Sequence, residues 1–247
     1  MKGIILAGGA GTRLRPLTTV TSKQLLPVYD QPMIFYPLRT LIDAGIAEIL
    51  VIVAPDHAGD YLHILGSGKQ FGIKITYEIQ EKPEGLAQAF IIGETFIGDD
   101  SVTLILGDNL FLDDQKTITK AIQNFTSGAC IFATKVENPE RFGVIEFDAD
   151  MKVKSVVEKP SRPASNFAVT GLYIYDNSVV ARAKALAPSA RNELEITDLQ
   201  KSYLASNELV VKIIHGAYLD TGTFDSLLAA NVLVAKRKQA RSDHASG

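Results

Sequence analysis

The sequence lacks a hydrophobic run long enough to cross a membrane. Its longest unbroken run of hydrophobic residue types is Ile49–Ala54, whereas a bilayer span requires about 20 residues. The apolar stretch within residues 1–8 is also too short for the core of a signal peptide. We therefore expect a cytoplasmic protein with no membrane partner.

Cysteine and excess charge are scarce as well. The one cysteine, Cys130, cannot form an intramolecular disulfide, and its apolar neighbours in Ala129–Ala133 indicate a buried, unreactive thiol. The 25 Lys and Arg residues against 28 Asp and Glu residues give a formal net charge of −3. This balance argues against a general nucleic-acid binder, which needs a concentrated excess of basic residues.

The composition is that of an ordinary globular protein. The chain has 247 residues, of which 46% are hydrophobic and 21% are charged, so it can bury a sizeable core without disulfides. It contains no internal repeat, low-complexity segment or linker. We therefore predict a single domain over residues 1–236, followed by a basic, frayed tail over residues 237–247.

Apolar, β-prone runs alternate with helix-like stretches through the first half of the chain. The runs expected to form strands are Gly3–Ala7, Ile49–Ala54, Ile73–Ile79, Val102–Leu106 and Ala129–Val136. The helix-like stretches between them are Pro32–Ala44, Gly59–Leu65, Gly85–Gly93 and Lys116–Phe125. Runs that are apolar on both faces are typical of parallel strands covered by helices. This alternation predicts an α/β fold with a doubly wound, mostly parallel sheet.

The second half has a different pattern, with short strands separated by turn signals. These strands are Val144–Phe147, Val153–Glu158 and Phe167–Tyr175, and they predict antiparallel additions, which make the sheet a mixed one. The remaining elements are helices over Asn177–Leu186 and Leu194–Ala205, a strand over Leu209–Ile214 and a last helix from Phe224 to about Lys236.

A glycine-rich loop follows directly on the first predicted strand. Gly8, Gly9 and Gly11 allow backbone N–H groups to turn toward a ligand without interference from a Cβ. In an open α/β sheet, this loop also lies where ligands bind. A dinucleotide fingerprint would need a glycine at Leu14, and the Gly-Lys-Ser/Thr of a P-loop is absent. The loop indicates a phosphate cradle or, as the simpler alternative, a tight turn.

Cations are concentrated beside this loop. Arg13, Arg15 and Lys23 fall within eleven positions. Such a cluster beside free backbone amides suits a polyphosphate, while a solvated basic loop is the alternative.

Two carboxylates occupy strand ends where a ligand or a helix cap would be expected. Asp108 follows a buried strand, and Asp220 lies between a strand and the last helix. Each could cap a helix or form a turn. If the two converged, they would repel by ~4 kcal/mol at 4 Å and an effective dielectric of about 20. They would then require a cation between them, and oxygen ligands beside a phosphate point to Mg²⁺.

A further acidic and basic pair, Glu158-Lys159, follows the strand Val153–Val157. The carboxylate could accept hydrogen bonds from sugar hydroxyls, and the ammonium could bind a sugar phosphate. Successive strand residues face opposite ways, so both serve one site only if the strand has ended or bulged there. Otherwise the pair is an exposed ion pair.

A set of motifs along the chain, in order, resembles the sugar-1-phosphate nucleotidylyltransferases. The first is Leu6-Ala7-Gly8-Gly9-Ala10-Gly11-Thr12-Arg13-Leu14, and the next, Lys23-Gln24-Leu25-Leu26-Pro27-Val28, is most similar to the glucose-1-phosphate thymidylyltransferases. The resemblance continues through Gln80, Gly85–Ala89, Leu106–Asn109, Pro139–Val144, Glu158–Pro160, Ala168–Tyr173, Glu193–Asp198 and Asp220–Gly222. Any one of these could be accidental, but the ordered set is specific and covers nearly the whole chain.

The resemblance implies a Rossmann-like nucleotidyltransferase fold and assigns roles to individual residues. The residues it assigns to the nucleotide are Gly8, Gly9, Gly11, Thr12, Gln24, Gln80, Pro83, Gly85 and Asp108. Those it assigns to the sugar phosphate are Asn109, Gly143, Glu158, Lys159, Val169, Thr170, Tyr173 and Tyr218. It makes Arg13, Lys23, Asp108 and Lys159 catalytic, and it implies that Asp108 and Asp220 hold Mg²⁺. The amide of Gln80 matches the donor and acceptor edge of thymine or uracil.

The implied reaction is transfer of a nucleotidyl group from dTTP to glucose 1-phosphate, which yields dTDP-glucose and pyrophosphate. UTP or another hexose 1-phosphate is the nearest alternative, because one methyl group separates thymine from uracil. An alternative of another class is a catalytically silent sensor of nucleotide sugars. The resemblance also implies a homo-oligomer, a dimer or tetramer. A second, regulatory nucleotide site is expected to be incomplete, since many members of the family continue into further C-terminal helices.

Overall fold

A mixed nine-stranded sheet forms the centre of the molecule. This computed structural model describes the backbone of residues 1–245 and the side-chain surroundings of residues 1–240. Within that range the strands are β1 (Lys2–Ala7), β2 (Pro27–Val28), β3 (Gln31–Pro32), β4 (Glu48–Val53), β5 (Lys74–Ile79), β6 (Val102–Leu106), β7 (Asn109–Phe111), β8 (Ala129–Lys135), β9 (Gly143–Phe147), β10 (Val153–Glu158), β11 (Phe167–Tyr175), β12 (Leu209–Ile213) and β13 (Tyr218–Asp220). The α-helices are α1 (Phe35–Asp43), α2 (Ala58–Leu65), α3 (Gln88–Ile92), α4 (Glu94–Ile97), α5 (Gln115–Gln123), α6 (Ser178–Lys184), α7 (Ile196–Ala205) and α8 (Phe224–Ala245).

The first half of the chain builds the parallel part of the sheet. Strand β1 pairs in parallel with β4 on one side and with β6 on the other, and β4 pairs in parallel with β5. Helices α1 and α2 provide the crossovers from β1 to β4 and from β4 to β5, while α3 and α4 precede the return to β6. The chain therefore reverses its direction of winding at β1 and β6. The crevice beyond the carboxyl ends of these two strands is where such folds bind ligands.

Both faces of the parallel strands are buried. Alternate residues of β1 supply opposite cores, since Ile4 packs in one hydrophobic cluster and Ile5 in the other. This explains why the strands appear in the sequence as continuous apolar runs. The predicted buried thiol is confirmed, because Cys130 is 5% exposed and burial raises its pKa to about 11.

The second half adds the antiparallel strands. Strand β11 runs antiparallel to β6, β8 and β9, and β10 is antiparallel to β9 at the edge. Strand β12 is parallel to β8. The predicted α/β fold with a doubly wound mixed sheet is thus confirmed, including the antiparallel additions.

Two short ribbons were absent from the sequence prediction. Strands β7 and β13 pair in a ribbon that joins residues more than 100 positions apart, and β2 pairs with β3 in a small hairpin. The helix expected over Gly85–Gly93 is shorter in the structure, since α3 spans Gln88–Ile92, and the short helix α4 that follows it was not predicted. The β7–β13 ribbon matters for the site, because β7 begins directly after Asp108 and β13 ends at Asp220.

The last helix is longer than the sequence suggested. Its expected end near Lys236 is wrong, since α8 continues to Ala245. Arg237 pairs with Asp113 at 2.8 Å, and Lys238 pairs with Asp30. The predicted basic tail therefore begins inside a helix that packs on the body of the protein, while residues 246 and 247 lie outside the described residues. No helix in the described part of the chain is long and apolar enough to cross a membrane.

Candidate active site

A cavity of about 560 Å³ opens beyond the carboxyl ends of β1 and β6. The glycine loop lies after β1, and Asp108 and Asn109 lie after β6. Residues of β10, β11 and β13 complete its wall. Most of the predicted site residues therefore lie at the switch point of the sheet, where the direction of winding reverses between β1 and β6.

The glycine loop passes close to the side chain of Gln80. A Cβ on Gly8 would lie 2.2 Å from Oε1 of Gln80, so a glycine is required for this approach. Gly11 and Thr12 shape the turn that follows, because Leu14 N donates to Gly11 O at 3.0 Å and a 3-10 turn begins at Thr12. Gly9 and Arg13 line the cavity.

Lys23 and Asp108 form a buried ion pair on the floor of the cavity, in which Lys23 Nζ donates to Asp108 Oδ2. Asn109 Nδ2 donates to the other carboxylate oxygen at 3.1 Å. Burial acts to raise the pKa of Asp108, but the charge and hydrogen bond of Lys23 outweigh it, so this pKa is lowered. Asp108 is therefore held as a carboxylate.

The β7–β13 ribbon brings Asp220 beside Asp108. Asp220 pairs in register with Asn109, and Thr221 N donates to Asp108 O at 3.1 Å. Burial raises the pKa of Asp220, and the negative charge of Asp108 raises it further. The cations Lys23, Arg13 and Arg141 counteract this rise only in part. The ionised form of Asp220 is thus destabilised at this position.

This donor set fits a divalent cation that is shared with a phosphate. Two buried carboxylates that repel one another gain from a cation between them, and Asp220 has the raised pKa expected of such a position. The described residues contain no group of three or more His, Cys, Asp or Glu side chains that could hold a metal by itself. Two carboxylates completed by phosphate oxygens and water is the ligand set typical of Mg²⁺.

The predicted base-reading residues all belong to the wall of the cavity. Gln80 is 3% exposed and lines it together with Pro83 and Gly85. Gly85 has a φ of +106°, and a Cβ there would lie 2.4 Å from the backbone oxygen of Leu194. The loop is fixed to that segment because Leu194 N donates to Glu84 O at 2.7 Å. Only a glycine at position 85 permits this close packing.

Glu158 and Lys159 both face the cavity, because the strand ends between them. Strand β10 ends at Glu158, and Lys159 adopts a φ of +39°, outside the extended region. The two side chains can therefore serve one site, as expected if the strand has ended there. Lys159 Nζ lies 3.4 Å from Glu158 Oε1.

Arg191 was missed by the sequence reasoning. Its guanidinium makes two hydrogen bonds to Glu195, at 2.7 and 3.1 Å, and lies 3.2 Å from Glu158 Oε1. It also lies 3.3 Å from Glu193. Arg191 thus adds a second cation to Lys159 among the residues predicted to bind the sugar phosphate. The one available signal was its spacing of four residues from Glu195, since Arg191 lies just before the stretch Glu193–Asp198 that was noted for its resemblance.

The remaining predicted sugar-side residues form one wall. Asn109 Oδ1 accepts from Gly171 N at 2.9 Å and from the hydroxyl of Tyr218 at 2.5 Å, so it is a buried connector. Thr170 Oγ1 donates to Phe132 O and is therefore tied to the neighbouring strand. Thr197, which was not predicted, lines the cavity with a buried hydroxyl that has no hydrogen-bond partner among the described residues.

The cavity gathers nearly all of the residues singled out from the sequence. Of the predicted set, only Gly8, Gly11 and Thr12 do not line its wall. Those that do are Gly9, Arg13, Lys23, Gln24, Gln80, Pro83, Gly85, Asp108, Asn109, Gly143, Glu158, Lys159, Val169, Thr170, Tyr173, Tyr218 and Asp220. Arg141, Arg191, Glu193, Glu195 and Thr197 are unpredicted polar additions.

Comparison with known proteins gives a consistent set of relatives. The family model described as nucleotidyl transferase matches residues 2–237. A glucose-1-phosphate thymidylyltransferase of Neisseria meningitidis is 55% identical over 99% of this chain and 86% of its own length. That of Mycolicibacterium smegmatis is 52% identical over 95% of this chain and 82% of its own length.

Solved structures agree with these sequences. A Bacillus anthracis structure, described as a glucose-1-phosphate thymidylyltransferase in complex with sucrose, has a TM-score of 0.89 and 45% identity and covers 94% of both chains. A UDP-glucose pyrophosphorylase complexed with UDP-glucose has a TM-score of 0.84 and 26% identity, over 96% of this chain and 98% of its own. A switch-point cavity with the residues expected from the motifs, together with these matches, shows that the chain belongs to the nucleotidyl transferase family and, within it, to the glucose-1-phosphate thymidylyltransferases.

Proposed function

We propose that the protein transfers a thymidylyl group from dTTP to glucose 1-phosphate. A phosphate oxygen of the sugar forms a bond to the α-phosphorus of dTTP, the bond from that phosphorus to the β-phosphate bridging oxygen breaks, and pyrophosphate leaves. The observation that carries the proposal is the arrangement of one cavity. Its lining includes the residues proposed to read the base, two cations proposed to hold the sugar phosphate, and a pair of carboxylates near the glycine loop.

The nucleotide end supplies charge to the triphosphate. Arg13 lines the cavity beside the backbone of Gly222, where a Cβ would lie 2.7 Å from its Nη2. From there its guanidinium stabilises the negative charge that develops on the leaving pyrophosphate. Lys23, which is paired with Asp108, neutralises the nucleotide phosphates. Such fixed charges are the main contribution that a protein makes to phosphoryl-type transfer.

The sugar end orients the attacking phosphate. Lys159 and Arg191 both lie beside Oε1 of Glu158, so a phosphate bound by the two cations would place its sugar near that carboxylate. Glu158 then accepts hydrogen bonds from sugar hydroxyls. Holding the two anions in attack geometry can supply ~7–11 kcal/mol of the barrier.

Mg²⁺ would be held by Asp108 and Asp220. When bound, it would neutralise phosphate oxygens near the reacting phosphorus, which is chemistry that two carboxylates alone cannot supply. The side chains around it keep the carboxylates in place, since Asn109 donates to Asp108 and Thr221 fixes the backbone of the β7–β13 ribbon.

UTP is the second candidate nucleotide. Thymine and uracil present the same donor and acceptor edge to Gln80, and the methyl group that distinguishes them is worth only ~1–3 kcal/mol. The structural similarity to a UDP-glucose pyrophosphorylase favours the same possibility. The choice of base therefore has to be measured directly.

The test is pyrophosphate release with glucose 1-phosphate and Mg²⁺, in parallel reactions with dTTP, UTP, CTP, ATP and GTP. We expect release to be fastest with dTTP and to require both the sugar phosphate and the cation. Galactose and amino-sugar 1-phosphates test the sugar choice. If folded protein released no pyrophosphate with any nucleotide or sugar phosphate, the silent sensor would replace the enzyme as the better explanation.

The cellular setting of this activity is a prediction from the sequence. The substrates are small molecules, so no nucleic-acid partner is required. Cytoplasmic location and assembly as a homo-oligomer are predictions that rest on the resemblance and on the composition. Sedimentation of the purified protein tests the second of these.

A further inference from the structure

The side-chain amide of Gln80 is connected to Glu84 through Gln88. Gln80 Nε2 donates to Gln88 Oε1 at 2.6 Å. Gln88 Nε2 in turn donates to the carboxylate of Glu84 at 2.8 Å, and Glu84 N donates to Gln88 Oε1 at 3.1 Å. Glu84 therefore contacts both ends of the Gln88 amide, one with its backbone and the other with its side chain.

These contacts determine which way each amide points. A carboxylate only accepts hydrogen bonds and a backbone N–H only donates them, so the amino group of Gln88 must face the Glu84 side chain. The carbonyl of Gln88 must then face Gln80, and Gln80 must donate to it with its amino group. The carbonyl oxygen of Gln80 is left on the opposite side, beside Gly8, and Gln80 itself lines the cavity.

We propose that Glu84 and Gln88 are positioning residues that set base selectivity by fixing the orientation of Gln80. This inference rests on the proposed function. With this orientation, Gln80 presents a carbonyl acceptor and one remaining N–H to the base. Thymine and uracil match that pattern with their N3–H donor and adjacent carbonyl. Cytosine has an unprotonated N3 and an amino group on the same edge, so like groups would face one another.

The position of Glu84 explains how an exposed carboxylate can do this. Gly85 adopts a positive φ, and the backbone of Glu84 is fixed by the hydrogen bond from Leu194 N at 2.7 Å. The loop therefore holds the Glu84 side chain and its own N–H at a constant spacing from Gln88, at the start of α3. A freely moving surface glutamate could not fix an amide in this way.

The first experiment compares kcat/KM for dTTP and dCTP in the parent and in the Gln88→Met variant. We expect the preference for dTTP to fall about tenfold or more, the scale of one misdirected buried hydrogen bond. The KM for dTTP should rise, while kcat at saturating dTTP and the KM for glucose 1-phosphate should stay within about twofold, because Gln88 touches no reacting group. Gln88→Glu, which sets two carboxylates against each other, gives a second variant if the methionine variant does not fold.

A swapped variant separates orientation from packing. In Glu84→Gln/Gln88→Glu, the new carboxylate still accepts from Gln80 and from the backbone of residue 84, and the new amide donates to it. We expect this double variant to recover most of the selectivity that Gln88→Glu loses. Glu81→Gln, in the same exposed loop and with the charge change of the Glu84→Gln substitution alone, is the control and should behave as the parent.

The proposal is overturned if folded Gln88→Met keeps the parental preference for dTTP within about twofold, or if the swapped variant is no better than Gln88→Glu. Calorimetric binding of dTDP against dCDP measures the same preference without turnover. If the parent binds dTDP selectively, Gln88→Met loses that selectivity and neither releases pyrophosphate, the proposed function is contradicted while the role of Gln88 is supported.

Discussion

Replacing Lys23 by methionine should destabilise the protein strongly. The side chains of Lys23 and Asp108 are only 12% and 11% exposed, so the ion pair is largely removed from water. Methionine keeps most of the aliphatic volume but leaves Asp108 as an unpaired buried charge. Removing one partner of a buried pair typically costs ~3–5 kcal/mol. For a chain of this length, that corresponds to a fall in Tm of roughly 6–20 °C.

The loss of stability in Lys23→Met should depend on pH, and the pKa of Asp108 determines the direction of that dependence. Burial raises this pKa, but Lys23 outweighs burial and lowers it. A carboxyl whose folded pKa is lowered adds stability above its unfolded pKa of about 3.9, and that stability is lost as the pH falls through the folded value. Without Lys23, burial dominates and ionised Asp108 costs stability. The difference between parent and variant should therefore shrink as the pH falls.

Thermal unfolding without nucleotide or metal, followed by circular dichroism at several pH values, measures both effects. A double-mutant cycle with Asp108→Asn tests the coupling, and the double variant should be more stable than Lys23→Met alone. Lys184→Met removes an exposed ion pair with Glu94 at 2.6 Å and is the control, with a cost below about 1 kcal/mol. A Lys23→Met protein as stable as the parent at neutral pH would refute the reasoning, as would a gap that widens in acid.

Three further predictions concern the cavity. Arg13→Ala should lower the rate of pyrophosphate release by at least ~10²-fold, the scale for one preorganised charge donor, without a change in Tm, and an unaltered rate would remove Arg13 from the reaction. Arg191→Met should raise the KM for glucose 1-phosphate more than that for dTTP in steady-state assays, and equal rises would contradict its place at the sugar end. Gly85→Ala should destabilise the fold by ~1–3 kcal/mol, since alanine is strained at this φ and meets the Leu194 backbone; denaturant unfolding that matches the parent would contradict this.

The parallel half of the fold was predictable because its signals are local and long. Strands such as Val102–Leu106 are continuous apolar runs, and the helices between them are long enough to show their own pattern. The β7–β13 ribbon could not be predicted in the same way. Each of its strands has three residues, and they pair across more than 100 positions of sequence. Pairing of this kind is decided by tertiary packing, because two short strands carry too little periodicity of their own.

The same distinction between local signals and tertiary packing applies to the residues of the site. Residues that follow directly on predicted strands, such as Gly9 and Asp108, could be placed at the switch point from the order of elements alone. That Asp220 meets Asp108 depends on the ribbon, so from the residues alone it was one alternative among several, and the resemblance favoured it. Arg191 lies on a loop among glutamates, where an arginine is most often a solvated ion-pair partner. Its contact with Glu158 appears only once α7 and β10 are packed together.

The charges of the cavity account for a division of labour in the proposed reaction. Arg13 and Lys23 at the proposed nucleotide end, and Lys159 with Arg191 at the proposed sugar end, could each hold one anionic substrate. Cations at the two ends alone would favour keeping the anions apart, since two phosphates repel on approach. The buried carboxylates between them would add to that repulsion, and the raised pKa of Asp220 records its cost in the free protein. A divalent cation on Asp108 and Asp220 would cancel their two negative charges where the substrates are proposed to meet. The electrostatic cost of these carboxylates in the free protein would then be offset when the ion binds.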